Sequence, residues 1–185
     1  MNEQYVLSID VGTTAIKVGL FSISGKLHRI ATREQALVHL AGERIEQSPL
    51  ASWASIVSSV WEVTTDIDPH SIRGIAVSNH RGTAIALDAQ GKPLSEFVVW
   101  MDKRGLPYID WLEQHIGSET YYNISGHPVV PYTGITKLLW FRDSSLWDTV
   151  SVIAPPITYF LSKLGCESLV CDVATGSFLF PNNID

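Results

Sequence analysis

Near the amino end of this 185-residue chain, the segment Ile9-Asp10-Val11-Gly12-Thr13-Thr14 joins two apolar runs. A glycine lets the backbone approach an anion closely, successive N–H groups in such a bend can point at phosphate oxygens, and the threonine hydroxyls add donors. Asp10, at the end of a buried strand, is placed to hold Mg²⁺ directly or through water. The same residues also read as an ordinary hairpin turn, where Asp and Gly are common for conformational reasons alone. Lys17 alternates with Ile16 and Val18 on the returning strand, so it lies on the polar face, where it could reach a phosphate or simply be solvated.

A second group, Asn79-His80-Arg81-Gly82, interrupts two β-like runs. Polar residues at the end of a buried strand are where α/β proteins usually place binding groups, and Arg81 offers a planar set of donors for hydroxyl oxygens or an anion. A solvated loop is the alternative. No second His, Cys or carboxylate stands at metal spacing from His80, so as a lone histidine it reads as a loop or core residue before a base or ligand. Asp102, in Trp100-Met101-Asp102-Lys103-Arg104, reads first as the N-cap of a following helix and second as a site residue. Tyr132, in Pro131-Tyr132-Thr133-Gly134, could lend its hydroxyl or ring to a small polar ligand or serve a structural role. Asp172 reads as a helix cap.

These residues need strands and helices to position them. Tyr5-Val6-Leu7-Ser8-Ile9 is β-like, 15–21 returns as a second strand and 27–38 is predicted to be a third, so the chain opens as an antiparallel meander. Ser48-Pro49 supplies an N-cap and a first-turn proline. Trp53, Ile56, Val57, Val60 and Trp61 then recur at helical spacing, predicting a helix that ends near 66–69. Further strands are expected at 73–78, 83–87 and 97–100, with a turn at 88–91. A strand runs into Pro155-Pro156, and helices are expected over 104–115, 135–142 and 156–164. This order makes the chain α/β, a mixed sheet flanked by helices.

Composition narrows the partners. With 13 Lys+Arg against 19 Asp+Glu the net charge is −6, and no basic cluster suits a phosphate backbone, so nucleic acid is excluded as the expected partner. Met1-Asn2-Glu3-Gln4 lacks a basic flank and no apolar run reaches the ~18 residues of a membrane span, so neither a leader nor a membrane is expected. Cys166 and Cys171 lack Cys-x-x-Cys spacing and read as reduced thiols of a cytoplasmic protein. Charged residues make up 17% of the chain, below the ~25% of ordinary domains. Part of the surface is therefore expected to be covered, and homo-oligomer formation through it is a hypothesis.

Taken together and in order, these segments resemble the N-terminal part of the FGGY family of carbohydrate kinases, over nearly the whole chain. Asp10-Val11-Gly12-Thr13-Thr14 resembles the family's first phosphate motif, and Arg73-Gly74-Ile75-Ala76-Val77-Ser78-Asn79-His80-Arg81 its strand and substrate loop. Gly91-Lys92-Pro93-Leu94, with Val99-Trp100-Met101-Asp102-Lys103-Arg104, matches the next block. Pro131-Tyr132 with Thr136-Lys137-Leu138-Leu139-Trp140 is similar to the glycerol kinase branch, and Cys171-Asp172-Val173-Ala174-Thr175-Gly176-Ser177 to the Asp-x-x-x-Ala/Gly-Ser segment.

The resemblance implies an RNase H-like fold of the actin and hexokinase type, with residues 1–185 as the N-terminal part of the first of two lobes. It also implies phosphoryl transfer from ATP, with Mg²⁺, to a small-molecule sugar or polyol. Asp10 would serve the metal, Gly12, Thr13 and Thr14 the ATP phosphates, and Arg81 and Tyr132 the substrate. Beside them, Lys17 stands as a further candidate for the phosphates and His80 and Asp102 as further candidates for the substrate, from their own positions in the sequence. Glycerol kinases carry Arg-Glu where this chain has Arg81-Gly82, and xylulokinase-like members carry His-Gly, so the substrate stays open among polyols, ketoses and sugar acids. No aspartate here matches the family's catalytic base, which lies later in the first lobe, and the isolated chain is expected to be inactive. Two other readings are a non-catalytic sugar- or nucleotide-binding module and an actin-like or chaperone-like ATPase. The blocks around Arg81 and Tyr132 speak against the latter, which needs no polyol site.

Overall fold

The computed structural model describes residues 3–180. In chain order, β1 (Tyr5–Val11), β2 (Ala15–Ser22) and β3 (Leu27–Glu34) lead to β4 (Val38–Leu40), β5 (Arg44–Gln47), α1 (Pro49–Thr64) and β6 (Ile72–Asn79). Then follow β7 (Ile85–Leu87), β8 (Phe97–Val98), α2 (Pro107–His115), α3 (Ser118–Ser125), α4 (Gly134–Arg142), β9 (Val152–Ala154), α5 (Pro156–Lys163) and α6 (Val173–Leu179). These elements form two compact units.

The first unit holds the residues up to Leu37 together with Ser48–His80. Its sheet has the order β3-β2-β1-β6, with β1 antiparallel to β2 and parallel to β6. The expected meander is present. Leu7, Ile9 and Val11 stand opposite Leu20, Val18 and Ile16, and all six are buried. Strand side chains alternate between faces, so Ser8, Asp10 and Lys17 project from the other face. α1 packs on β2 and β3. β6 is an edge, and its Ile75 is 49% exposed.

Two details of this unit differ from expectation. The third strand ends at Glu34 rather than at 38, because Gln35 turns toward α1. Its Oε1 accepts from Ser52 Oγ at 2.9 Å and its Nε2 donates to Ser55 Oγ at 3.1 Å. The helix begins as expected, with the Ser48 hydroxyl accepting from the Ala51 amide. Its buried face, however, is Pro49, Ser52, Ile56, Ser59 and Val63, and Trp61 is 74% exposed. Small serines let the helix approach the sheet closely, which apolar periodicity alone does not register.

The second unit comprises Val38–Gln47 and the described residues from Arg81 onward. β4, β5 and β8 form one antiparallel sheet, and β7 pairs with β9. Ala84, Ala86, Val98, Phe141 and Leu179 make a buried cluster. Phe97 packs edge-on to Tyr159 at 6.0 Å and tilted to Phe160 at 5.7 Å between ring centroids. Helices arise at three expected places, although the first of them begins at Pro107 rather than 104, since proline is favoured in a first turn. α3 and the 38–47 hairpin were not expected. Asp172 caps α6 by accepting from the Thr175 amide at 2.8 Å. Among the described residues no helix is long and apolar enough to cross a membrane.

Candidate functional site

In the first unit, Asp10 sits one residue before the end of β1, on the sheet face opposite the Leu7-Ile9-Val11 row, and is exposed. Its register partners are Lys17 on β2 and Ser78 on β6. The Ser78 hydroxyl donates to Asp10 Oδ1 at 2.7 Å. Lys17 is exposed on the same face, and directly opposed residues in an antiparallel pair have Cβ atoms ~5 Å apart. The sheet therefore gathers a carboxylate, a hydroxyl and an ammonium on one solvent-facing row.

The turn after β1 is tight. The Gly12 amide donates to the Ala15 carbonyl at 3.0 Å, and a Cβ at position 12 would lie 2.7 Å from that same oxygen. Gly12 is thus required by the close approach of its own hairpin, and its N–H is committed there. Thr14 is exposed and Thr13 half-buried, so these residues form the outer surface of the bend. The segment is a hairpin turn and presents a polar rim beside Asp10.

His80 follows β6, and its amide donates to the Val11 carbonyl at 3.0 Å, which ties it to the end of β1. Burial lowers its imidazole pKa to about 4, against a smaller opposing pull from Asp10. The ring is neutral at physiological pH. A cavity of about 820 Å³ in this unit lies at the other end of the sheet, lined by Glu3, Gln4, Ser22, Ile23, Asp68 and His70 among others. It is remote from Asp10 along β1.

Among the described residues no group of three or more His, Cys, Asp or Glu could hold a metal ion. A single exposed carboxylate fits Mg²⁺ that takes its remaining oxygens from phosphate and water. It does not fit an all-protein metal centre.

In the second unit, Arg81 is exposed, with its guanidinium 5.8 Å from the centre of the Phe178 ring. Phe178 also meets His127 edge-on at 5.4 Å. Gly82 has φ +74, and a Cβ there would lie 2.8 Å from Phe178 Cε1 and 3.2 Å from Trp100 Cβ. The Trp100 amide donates to Thr83 Oγ1 at 3.0 Å. Trp100 and Tyr132 are 41% and 46% exposed, aromatic surface available to a ligand.

Asp102 differs in kind from the other candidates. It is 0% exposed. Its Oδ2 accepts from the Ile45 amide at 2.6 Å and from Arg104 Nη2 at 2.9 Å, and its Oδ1 from Arg104 N and Nε at 2.9 and 2.8 Å. Arg104 in turn reaches Glu46 Oε1 at 2.6 Å and lies 4.4 Å from the centre of the Trp140 ring. The N-cap expectation for Asp102 gives way because α2 starts five residues later. The carboxylate is committed to a buried ion pair that fastens the 100–106 loop to β5.

Sequence reasoning missed Ser78, Phe178 and the Asp102-Arg104-Glu46 network. Ser78 had a signal, as a polar residue near the end of an otherwise apolar strand. Phe178 had none, since its place beside Arg81 depends on the path of α6.

Comparison with known proteins comes from sequence and structure alike. Residues 5–177 match the N-terminal domain of the FGGY family of carbohydrate kinases. The glycerol kinase of Paraburkholderia phymatum is 31% identical over 147 residues, which is 78% of this chain and 30% of that protein. The glycerol kinase of Aquifex aeolicus is 33% identical over 140 residues, 75% of this chain and 28% of that one. In structure, the gluconate kinase of Lactobacillus acidophilus superposes with a TM-score of 0.88 at 22% identity, covering 96% of this chain and 36% of the other. The ADP-bound glycerol kinase of Plasmodium falciparum gives 0.84 at 20% identity, covering 95% and 37%. These superpositions establish the sugar-kinase fold of the actin and hexokinase type. The chain spans about 30% of the length of the curated relatives it matches.

Proposed function

This chain belongs to the FGGY family of carbohydrate kinases, and on that premise we propose that it is the N-terminal part of the first domain of an ATP-dependent kinase. That kinase transfers the γ-phosphoryl group to a hydroxyl of a sugar or polyol in the cytoplasm. The observation that carries this reading is the row Lys17, Asp10 and Ser78 at the rim of the Gly12 bend, a cation-binding carboxylate beside donors suited to phosphate oxygens.

In this reading Asp10 holds Mg²⁺, and Ser78 fixes the orientation of the carboxylate through its 2.7 Å hydrogen bond. The ion that Asp10 would hold would supply positive charge to offset that of the phosphates. Thr13 and Thr14 face the phosphates from the bend, and Gly12 acts by permitting that bend. Lys17 supplies positive charge from the exposed face. His80 contributes a neutral imidazole.

Arg81 donates to substrate hydroxyl or carboxylate oxygens, while Tyr132, Trp100 and Phe178 offer ring faces to the carbon chain. Asp102 supports the 100–106 loop from beneath. The space that a side chain at 82 would fill is taken by Phe178, which favours substrates needing no second charged contact there.

Phosphoryl transfer is mostly positioning and charge stabilisation, and it requires the metal, the donor phosphates and the acceptor hydroxyl to be aligned together. The residues named here bind and orient, and none is a candidate base for the acceptor hydroxyl. The 185-residue chain is therefore expected to bind Mg²⁺·nucleotide weakly and to show no turnover. Titration calorimetry with Mg²⁺·ADP, repeated on Asp10→Asn, tests the nucleotide part. A panel of polyols, ketoses and aldonates, repeated on Arg81→Ala, tests the substrate part. Binding unchanged in both variants overturns the proposal.

A further inference from the structure

A fully buried lysine in an α-helix needs a reason, because lysine is almost never enclosed without partners. Lys137, in the first turn of α4, is 0% exposed. Its Nζ donates to the Tyr132 carbonyl at 3.2 Å and, at the long limit of 3.5 Å, to the Trp100 carbonyl. The turn around it is closely packed. A Cβ at Gly105 would lie 2.3 Å from Thr136 Oγ1, and Thr136 Oγ1 itself donates to the carbonyls of Pro131 and Thr133 at 3.0 and 2.8 Å. The start of α4 is thus where the 100–105 loop and the 130–134 loop are both fastened.

We infer that Lys137 is a positioning residue that clips the backbones of Trp100 and Tyr132 to one point, so that their two exposed rings hold fixed places on the substrate surface. This rests on the sugar reading of that surface given above. The clip works through carbonyls, so it sets where the rings stand without touching the ligand. A lysine does this better than an apolar residue because one tetrahedral ammonium can serve two carbonyls from different segments. Asp102 and Arg104 are the charged groups that act on it, the first favouring its proton and the second opposing it. Burial is the larger influence and lowers its pKa to about 8, so the ammonium persists at neutral pH.

The test uses the 185-residue chain, with amide hydrogen exchange and NMR-monitored sugar titration on wild type, Lys137→Met, Lys137→Arg and Arg81→Ala. In Lys137→Met, exchange is expected to rise roughly tenfold at residues 100–103 and 130–134 together, with β1 and β2 as protected as in wild type. Sugar binding falls about tenfold, and Lys137→Arg, which keeps a cationic donor, recovers most of it. These magnitudes follow from losing about one charged hydrogen bond. Unchanged exchange or unchanged sugar affinity in Lys137→Met overturns the clip.

Should that variant fail to fold, the wild-type ammonium protons decide. Slow solvent exchange with cross-relaxation to the Trp100 and Tyr132 segments supports the clip, and free-lysine behaviour overturns it. Sugar binding that Arg81→Ala abolishes and Lys137→Met leaves intact sinks the clip alone. A wild-type chain that binds no sugar sinks the sugar reading and, with it, the link between the clip and the ligand.

Discussion

Ser78 donates its hydroxyl to Asp10 Oδ1 at 2.7 Å across a parallel strand pair, tethering one oxygen of an exposed carboxylate. The arrangement depends on register. A slip of one residue would turn Asp10 into the Leu7-Ile9-Val11 core face, and the buried apolar rows of β1 and β2 prevent it.

Replacing Asp10 with Asn is therefore expected to weaken Mg²⁺-dependent nucleotide binding at least tenfold while changing stability by under about 1 kcal/mol, since the group is exposed. Ser78→Ala loses only an orienting hydrogen bond and is expected to weaken binding by a few-fold. Calorimetry at fixed Mg²⁺ together with urea unfolding separates the two quantities. Equal affinity in wild type and Asp10→Asn would contradict the metal role.

Gly82 makes a different kind of demand. Its φ of +74 disfavours any L side chain, and the ring of Phe178 occupies the space a Cβ would need. Gly82→Ala is expected to destabilise the chain by roughly 1–3 kcal/mol. In the Gly82→Ala/Phe178→Ala double variant the clash with Phe178 disappears while the backbone strain and the close contact with Trp100 stay, so the two losses are less than additive. Urea denaturation of the four proteins of the cycle reads this directly, and strict additivity would show that Phe178 does not press on position 82.

The strands that carry Asp10 and Ser78 were legible as short apolar runs rich in β-branched residues and bounded by polar breaks. The α1 start was legible because Ser48 and Pro49 act locally. What escaped were interactions that depend on chain path. Gln35 ends β3 by bonding to serines on the following helix, and Asp102 looked like a cap because its partner Ile45, and the Glu46 that its ion-pair partner Arg104 reaches, are nearly sixty positions away. Lys137 carried a faint signal, lying with Gly134 and Phe141 at i−3 and i+4 on a face that helical spacing makes common. A charged residue on that face is unusual enough to mark.

The Asp102-Arg104 pair offers a sharp contrast between breaking and replacing. Removing one partner leaves a buried charge alone, so Arg104→Met is expected to cost roughly 3–5 kcal/mol, whereas Glu46→Gln, at the more accessible end, should cost about 1 kcal/mol. Thermal or urea unfolding at neutral pH provides the comparison. If Glu46→Gln proved as damaging as Arg104→Met, the energy would lie in the outer pair instead.

His80 links stability to acid. Its folded pKa of about 4 lies below the ordinary value of 6.5, so the unfolded chain takes up a proton first as pH falls. The neutral ring's contribution is fully present above pH 6.5 and is lost on descent to about pH 4, by up to roughly 3 kcal/mol. His80→Gln should flatten the pH dependence of unfolding in that window. An unchanged slope would place the acid sensitivity elsewhere.

Lys137 produces the same sign in an alkaline window. Its pKa is lowered from 10.5 to about 8, so between these values the unfolded chain again binds more protons and stability rises with pH. Below about pH 8 the folded chain carries the full penalty of an enclosed ammonium, on the order of 3 kcal/mol. Lys137→Met removes that penalty and leaves two carbonyls short of a donor, a loss of similar size. The variant is thus expected to match wild type within about 2 kcal/mol at pH 7 and to fall behind it as pH approaches 10. Unfolding free energies of the pair from pH 7 to 10 give the difference with other titrating groups cancelled, and a difference independent of pH would show that Lys137 enters the fold at its ordinary pKa.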